Sequence, residues 1–342
     1  MQSIIIKKPG GYSRMEIMEM ESEKNLDFNQ VRVEVKAIGV NYADCTIRLG
    51  LYKSAKDHKE YKNILGFDFS GIVKEVGNKV KNINIGDRVF GITLFGAYQT
   101  EIIIDENYLF ILPEKISFET GASLPTTYLT AYHILHNLAH IKKEESIFIH
   151  SIAGGVGNWL TLLSQRAGLE IYGDVSTKDK KKLLLEKGIN NIEIRGSKEF
   201  DNFKFDVIAN AQGGRSIKED IKKLKTGGRL IIYGFHGMIH TTKNGKLSLS
   251  SWIKILYEMI VMPKVHPFTL VNENKSIMGC NLSYLFNEIE FYREAMDKLI
   301  SILNESTTEL PSVTKIPFNE VGRAHYLLEH SKTTGKLVLI VD

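Results

Sequence analysis

From residue 147 onward, short apolar runs alternate with longer stretches in which apolar residues recur every three or four positions. The runs at 147–151, 170–175, 191–195, 205–209 and 229–233 read as strands, because each is short and rich in branched or aromatic residues. Helical spacing follows at Val156, Trp159, Leu160, Leu163 and Ala167, and again over 180–186, stopped by Gly188. This alternation predicts an α/β fold: a doubly wound parallel sheet whose ligand crevice lies beyond the carboxyl ends of its strands. The first third differs. Strand signals at 31–38, 72–76, 88–92 and 100–104 are separated by Gly66, Gly71, Gly77, Gly86-Asp87 and Gly96, which predicts a mostly antiparallel, β-rich domain. The final strand, 336–341, has no place in the middle sheet and is expected to return to the first domain, making it discontinuous. The expected division is 1–122 with 283–342 for the β-rich domain and 123–282 for the parallel one.

Where the strand 147–151 meets the next helix stand Ala153, Gly154, Gly155, Val156 and Gly157. Glycines at such a junction let the backbone turn tightly and approach a bulky anion, and the unpaired N–H groups of the helix start attract phosphate. Ser151 or Ala153 stands where G-x-G-x-x-G has its first glycine. A tight turn without a ligand uses the same residues, but the flanking strand and helix make a dinucleotide cradle the stronger reading.

Composition narrows the function. The 342 residues carry a net charge of +4, and the densest basic run, 178–182, is interrupted by Asp179, so no coherent basic stripe for nucleic acid exists. The two cysteines, Cys45 and Cys280, supply neither a disulfide framework nor a cysteine-rich zinc lobe, which fits a reducing, cytoplasmic setting. Residues 1–9 are too short for a signal-peptide core and read as an edge strand. The apolar stretch 252–262 is broken by Lys254 and Glu258 and stopped by Pro263, too early to span a bilayer. Its face of Ile253, Leu256, Tyr257 and Ile260 suits packing or a subunit contact better than a membrane surface. His133, His136 and His140 share one helical face with no carboxylate cluster beside them, so no metal set is assigned there.

Four stretches resemble the medium-chain dehydrogenases/reductases, specifically their zinc-free quinone oxidoreductase branch. They are Val40-Asn41-Tyr42-Ala43-Asp44 with Arg48-Leu49-Gly50-Leu51-Tyr52; Leu65-Gly66-Phe67-Asp68-Phe69-Ser70-Gly71 with Val76-Gly77; Ala153 to Gly157; and Thr334-Gly335-Lys336-Leu337-Val338-Leu339. Asn272-Glu273-Asn274-Lys275-Ser276, Gly279 and Asn281-Leu282 are similar to the subfamily of synaptic-vesicle membrane protein homologues. The resemblance implies a GroES-like first domain and a Rossmann nucleotide-binding domain. Zinc-dependent members place a cysteine where this chain has Asn41 and a histidine where it has Phe67, so no zinc is expected.

Without a Lewis acid, alcohol oxidation is disfavoured, whereas a quinone or enone is already electrophilic. The resemblance implies Asn41 and Tyr52 as donors near the reacting oxygen, with Asp44 in a supporting place. Asn41 also suits a helix cap, Tyr52 core packing, and Asp44 a first-turn carboxylate. By resemblance, Thr130, Gly213, Tyr233, Gly234, Phe235, Asn281 and Lys336 join the glycine turn in binding the cofactor. Ser176 and Lys180 match positions that hold the 2′-phosphate of NADPH. Asp174 adjoins Val175, the position of the ribose-binding carboxylate in NAD enzymes, and Ile194 replaces a tyrosine that flanks the adenine ribose. The balance favours NADPH over NADH. The expected activity is hydride transfer to a quinone or other conjugated carbonyl, with enoyl or alkenal reduction as the neighbouring activity. The second reading is a nucleotide-binding structural or membrane-associated partner. A homodimer is expected, paired through the sixth strand at 276–280.

Overall fold

The computed structural model describes residues 1–58, 63–197, 199–306 and 308–341. The chain divides into two compact units, the first comprising Met1–Leu129, Thr242–Leu247 and Leu282–Asp342, the second Thr130–Thr241 and Ser248–Asn281. The short segment Thr242–Leu247 belongs with the first unit, where Arg48 Nη1 donates to the Gly245 carbonyl at 2.7 Å and the Tyr12 N–H to that of Asn244 at 3.1 Å.

The first unit is built on the long strand Gln30–Val40, whose buried Val31, Val33, Val35 and Ala37 face the core. Asp68–Val76 and Glu101–Asp105 pair with it antiparallel, and Arg88–Ile92 and Leu109–Ile111 continue the sheet. The last strand, Lys336–Ile340, does return to this sheet: it runs antiparallel to Gln30–Val40 with Leu337 opposite Val40, and parallel to Val313–Pro317. Gly39 is required here, since a Cβ would sit 2.3 Å from the Ala122 carbonyl of the helix Phe118–Ser123 packed above. Near the amino terminus Gln2–Ile6 pairs with Met15–Glu19 in a separate two-stranded sheet.

The second unit holds a six-stranded parallel sheet in the order Asn191–Ile194, Glu170–Val175, Ser146–Ile149, Phe205–Asn210, Leu224–Ile232, Ser276–Gly279. Its core holds Phe148, Tyr172, Phe205, Ile208, Ile217, Leu224 and Leu230. The rings of Phe148 and Tyr172 lie 5.2 and 5.1 Å from that of Phe205. Helix Gly155–Arg166 buries Trp159, Leu160 and Leu163, three members of the apolar stripe seen in the sequence. Truncating a buried tryptophan costs roughly 3–5 kcal/mol, so Trp159 anchors the helix that carries the glycine turn. Among the described residues no helix is long and apolar enough to cross a membrane.

Candidate functional site

In the first unit, the sheet register assembles a buried polar cluster at the carboxyl end of Gln30–Val40. Asn41 follows that strand directly; Lys336 precedes Leu337, which faces Val40, and Asp68 pairs with Gly39 on the other side. Asn41 Nδ2 donates to Asp68 Oδ2 at 2.8 Å, while Lys336 Nζ donates to Asn41 Oδ1 and, at 3.0 Å, to Asp68 Oδ2. The other oxygen of Asp68 accepts from the Thr126 N–H and hydroxyl at 2.8 and 2.5 Å. Lys336, expected at the cofactor, thus spends its ammonium on Asn41 and Asp68, and its side chain is only 5% exposed.

Asp44 lies one turn into helix Tyr42–Arg48 and is fully buried. Its carboxylate reaches back to the Asn41 N–H at 2.8 Å and also accepts from the Gly66 N–H and the Tyr98 hydroxyl, each at 3.1 Å. Burial pushes its pKa up to about 7, against the hydrogen bond from Asn41 and the charge of Lys336. Asp44 therefore secures the Asn41 backbone, and the two residues form the capping box of this helix. Tyr52 caps the short helix Lys53–Asp57; its hydroxyl donates to Ser283 Oγ at 3.3 Å and its ring meets Phe67 edge-on at 6.5 Å.

The second unit gathers a different cluster beyond the carboxyl ends of its strands. Ser151 adopts φ of +55°, the left-handed conformation that favours glycine, and so occupies the first position of the turn. Gly154 caps the helix, Gly155 opens it, and Asn158 Nδ2 locks the turn by donating to the Ala153 and Gly154 carbonyls at 3.0 and 2.8 Å. A Cβ on Gly157 would lie 2.5 and 2.6 Å from the carbonyl oxygens of Ile152 and Ser151, so only glycine lets helix and turn approach this closely. Ala153 is buried and Val156 half-buried beside them.

Asp174, at the end of strand Glu170–Val175, is sealed into this turn. It accepts from the Ser151 N–H at 2.9 Å, from His150 Nδ1 at 2.6 Å, and from Arg195 Nε and Nη2 at 3.2 and 2.7 Å. His150 also donates from Nε2 to both oxygens of Asp220 at 3.0 Å. Burial disfavours the His150 charge, yet Asp220 and Asp174 outweigh it and raise its pKa to about 10. Burial likewise opposes ionisation of Asp174, but the His150 and Arg195 charges hold its carboxyl well below the usual range.

Arg195 also donates Nη2 to Ser151 Oγ at 2.7 Å. The Gln212 amide oxygen meets Arg195 Nη2 at 2.9 Å and His236 Nε2 and Ser151 Oγ at 2.8 Å. His236 is kept neutral near the turn, its pKa lowered to about 4 by burial and by Arg195. Arg195, His150, Asp220, Gln212 and His236 were not singled out in the sequence, since only strand order brings them to one place.

The expected phosphate-binding pair lies at the same strand end. The Ser176 hydroxyl is buried with no hydrogen-bond partner among the described residues, an orphaned donor that a phosphate oxygen would satisfy. Lys180 is half-buried in helix Lys178–Glu186, its pKa lowered by burial and by Arg195. Gly213 has φ of +68° with Phe235 packed over it; Gly234 lies against Ala211, and the Tyr233 N–H bonds the Asn210 carbonyl at 2.9 Å. Thr130 is buried in helix Pro125–Tyr132, while Asn281 is exposed just beyond the edge strand Ser276–Gly279.

Residues 27–114 match the alcohol dehydrogenase GroES-like domain and residues 192–339 the zinc-binding dehydrogenase family. The chain belongs to the medium-chain dehydrogenase/reductase superfamily. It is an oxidoreductase of that superfamily, similar to the synaptic vesicle membrane protein VAT-1 homolog of Danio rerio at 26% identity, covering 100% of this chain and 70% of that protein. It is also similar to the Escherichia coli quinone oxidoreductase solved with NADPH, at 27% identity and a TM-score of 0.82, with 100% of both chains covered. The CurK enoyl reductase shares the fold at a TM-score of 0.84 and 23% identity, over 100% of this chain and 99% of that one.

The residues present do not fit the zinc of the superfamily's metal-dependent members. Asn41 Oδ1 is taken by the Lys336 ammonium, and Phe67, which offers no donor atom, packs against Phe95 with ring centroids 5.3 Å apart. Elsewhere among the described residues, Cys45, His325 and Glu329 bring ligand atoms within 4.8 Å of one another. The Arg48 guanidinium already occupies that group, ion-paired with Glu329 and 3.4 Å from His325 Nδ1.

Proposed function

We propose that this chain is a zinc-independent, NADPH-dependent reductase that transfers hydride to a quinone or another conjugated carbonyl. What supports the reading is the strand end at 174–180: Asp174 is buried and held by Ser151, His150 and Arg195, and Ser176, Lys180 and Arg195 bring an orphaned hydroxyl and two cations to the same end. The Arg195 side chain stays 33% exposed, open to a dianionic phosphate. Gly154 to Gly157 cradle the pyrophosphate with main-chain donors. When bound, the nicotinamide supplies hydride from C4. The protein's part is to hold the nucleotide, exclude water and stabilise the acceptor oxygen, for which Asn41 and Tyr52 are the candidate donors. The likeness to the E. coli quinone oxidoreductase supports the substrate class.

Stopped-flow mixing of NADPH-loaded protein with para-quinones, ortho-quinones, enones and alkenals, following nicotinamide absorbance, tests this. Oxidation of NADPH by quinones is expected, and faster reaction with enones than with quinones would move the assignment to an enoyl or alkenal reductase. Binding without turnover across the whole panel overturns the reductase reading. It would favour a membrane-associated partner, a reading supported by the vesicle-protein likeness and by exposed Trp252, Ile253, Leu256 and Ile260 on helix Leu249–Val261. The unlinked cysteines, Cys45 and Cys280, suit a cytoplasmic enzyme. We further propose that two copies pair along the edge strand Ser276–Gly279.

A further inference from the structure

Burying an ammonium is costly, and Lys336 sits beneath the surface with two partners of different kinds, the Asp68 carboxylate and the Asn41 amide oxygen. Charge balance alone explains the first partner and leaves the second unexplained. Besides the Asp44 backbone N–H of the capping box, the Asn41 amide has two charged partners of opposite sign: a cation at its oxygen and an anion at its nitrogen. Asp68 is held in turn by Thr126, so the anion cannot swing away. A cation at the oxygen and an anion at the nitrogen favour the dipolar form of an amide, in which oxygen carries negative charge and nitrogen positive. Both N–H bonds then become stronger donors. One N–H is spent on Asp68; the second is the one available to an acceptor.

We propose that Lys336 is a positioning residue that fixes and polarises the Asn41 amide, strengthening its second N–H as a donor to an oxygen on which negative charge develops. The proposal rests on the reductase reading for its place in a reaction, but the polarisation itself is independent of turnover. It also accounts for the amide's orientation. With its oxygen toward an ammonium and its nitrogen toward a carboxylate, Asn41 cannot flip without facing like against like. Such a donor requires no reorganisation when charge appears, and in a dry site it is worth far more than in water. Asp44 completes the arrangement by binding the Asn41 N–H, which fixes the backbone from which the side chain projects.

The test uses the full-length chain and two aromatic probes of similar shape, anionic 4-nitrophenolate and neutral nitrobenzene. Lys336→Met is expected to weaken 4-nitrophenolate binding about tenfold and nitrobenzene binding less than about twofold. In an Asn41→Ala background the same change should alter 4-nitrophenolate binding by less than about twofold, because the ammonium acts through the amide. Lys336→Arg, which keeps the charge, should restore most of the affinity. If Lys336→Met leaves Asp68 unpaired and the protein fails to fold, Asp68→Asn with Lys336→Met removes both charges together and should show the same selective loss. Equal losses with and without Asn41, or a wild-type protein that fails to distinguish the two probes, overturns the proposal. In turnover, Lys336→Met should lower kcat with KM nearly unchanged, most steeply for weakly electrophilic enones. A wild-type protein that turns over nothing yet passes the probe cycle would refute the reductase reading alone.

Discussion

The Arg195 guanidinium meets a single oxygen of Asp174 through both Nε and Nη2, at 3.2 and 2.7 Å, while Nη2 also reaches Ser151 Oγ at 2.7 Å. This carboxylate, one residue before Val175, restrains a cation. The cation stands beside Lys180, close enough to depress its pKa.

Arg195→Ala is therefore expected to raise the Kd for NADPH about tenfold while changing that for NADH less than about twofold, since only the former carries the 2′-phosphate. Titration calorimetry with both nucleotides, and with 2′,5′-ADP against 5′-AMP, measures this. Equal weakening of both nucleotides would remove Arg195 from phosphate recognition.

Ser151 combines a strained backbone with a well-bonded hydroxyl. Ser151→Ala and Ser151→Gly both lose the hydroxyl, but only glycine relieves the left-handed φ of +55°. The alanine variant should be less stable than the glycine variant by about 1 kcal/mol in urea unfolding. No difference would mean that the turn relaxes freely.

Stability of the second unit should depend on pH through its histidines. His150 has a folded pKa of about 10 against an ordinary 6.5, so the fold retains a proton that the unfolded chain loses. Its contribution is complete below pH 6.5 and declines as pH rises toward 10, by up to about 1.4 kcal/mol per pH unit. His236, lowered to about 4, acts in the opposite sense: its contribution is present above pH 6.5 and is lost as pH falls toward 4. Both tryptophans, Trp159 and Trp252, lie in this unit, so intrinsic fluorescence follows its unfolding. The midpoint should peak near neutrality, and His150→Gln should flatten the alkaline limb; an unchanged limb would assign that limb to other groups.

The edge strand Ser276–Gly279 presents one row of backbone groups with no neighbouring strand among the described residues, and self-pairing about a two-fold axis would satisfy it. Sedimentation at micromolar concentration should show a dimer, and Met278→Lys should shift it toward monomer by placing charge on the strand. A wild-type monomer would rule the pairing out.

Much of the fold was legible because apolar runs in parallel sheets are nearly continuous. Glu170–Val175 lies where that pattern placed it, and in the antiparallel sheet Arg88–Ile92 lies where the flanking Gly86-Asp87 marked it off. Strand Leu224–Ile232 begins five residues before the expected Arg229, because Leu224 pairs with Phe205 and the locally turn-like Thr226-Gly227-Gly228 lies in the irregularity before Arg229 takes up the register with Val207. Val313–Pro317 went unsignalled, its lysine and proline masking a strand stabilised by the returning Lys336–Ile340. Site residues followed the same division. The glycine turn is contiguous and readable, whereas Arg195 meets Asp174 only because Ile194 lies in register with Val175 across two parallel strands. Lys336 belonged to a recognisable motif, but its actual partners depend on antiparallel pairing with a strand from the opposite end of the chain.

The Ser151 N–H bond to Asp174 has a bearing on any attempt to retune coenzyme choice. Asp174 stands next to Val175, the position from which NAD enzymes bind the ribose, and it also shapes the glycine turn. Exchanging it would loosen the grip on every dinucleotide alike. Under the proposed NADPH reading, discrimination is to be altered at Lys180 and Arg195, leaving the carboxylate as a fixed keystone.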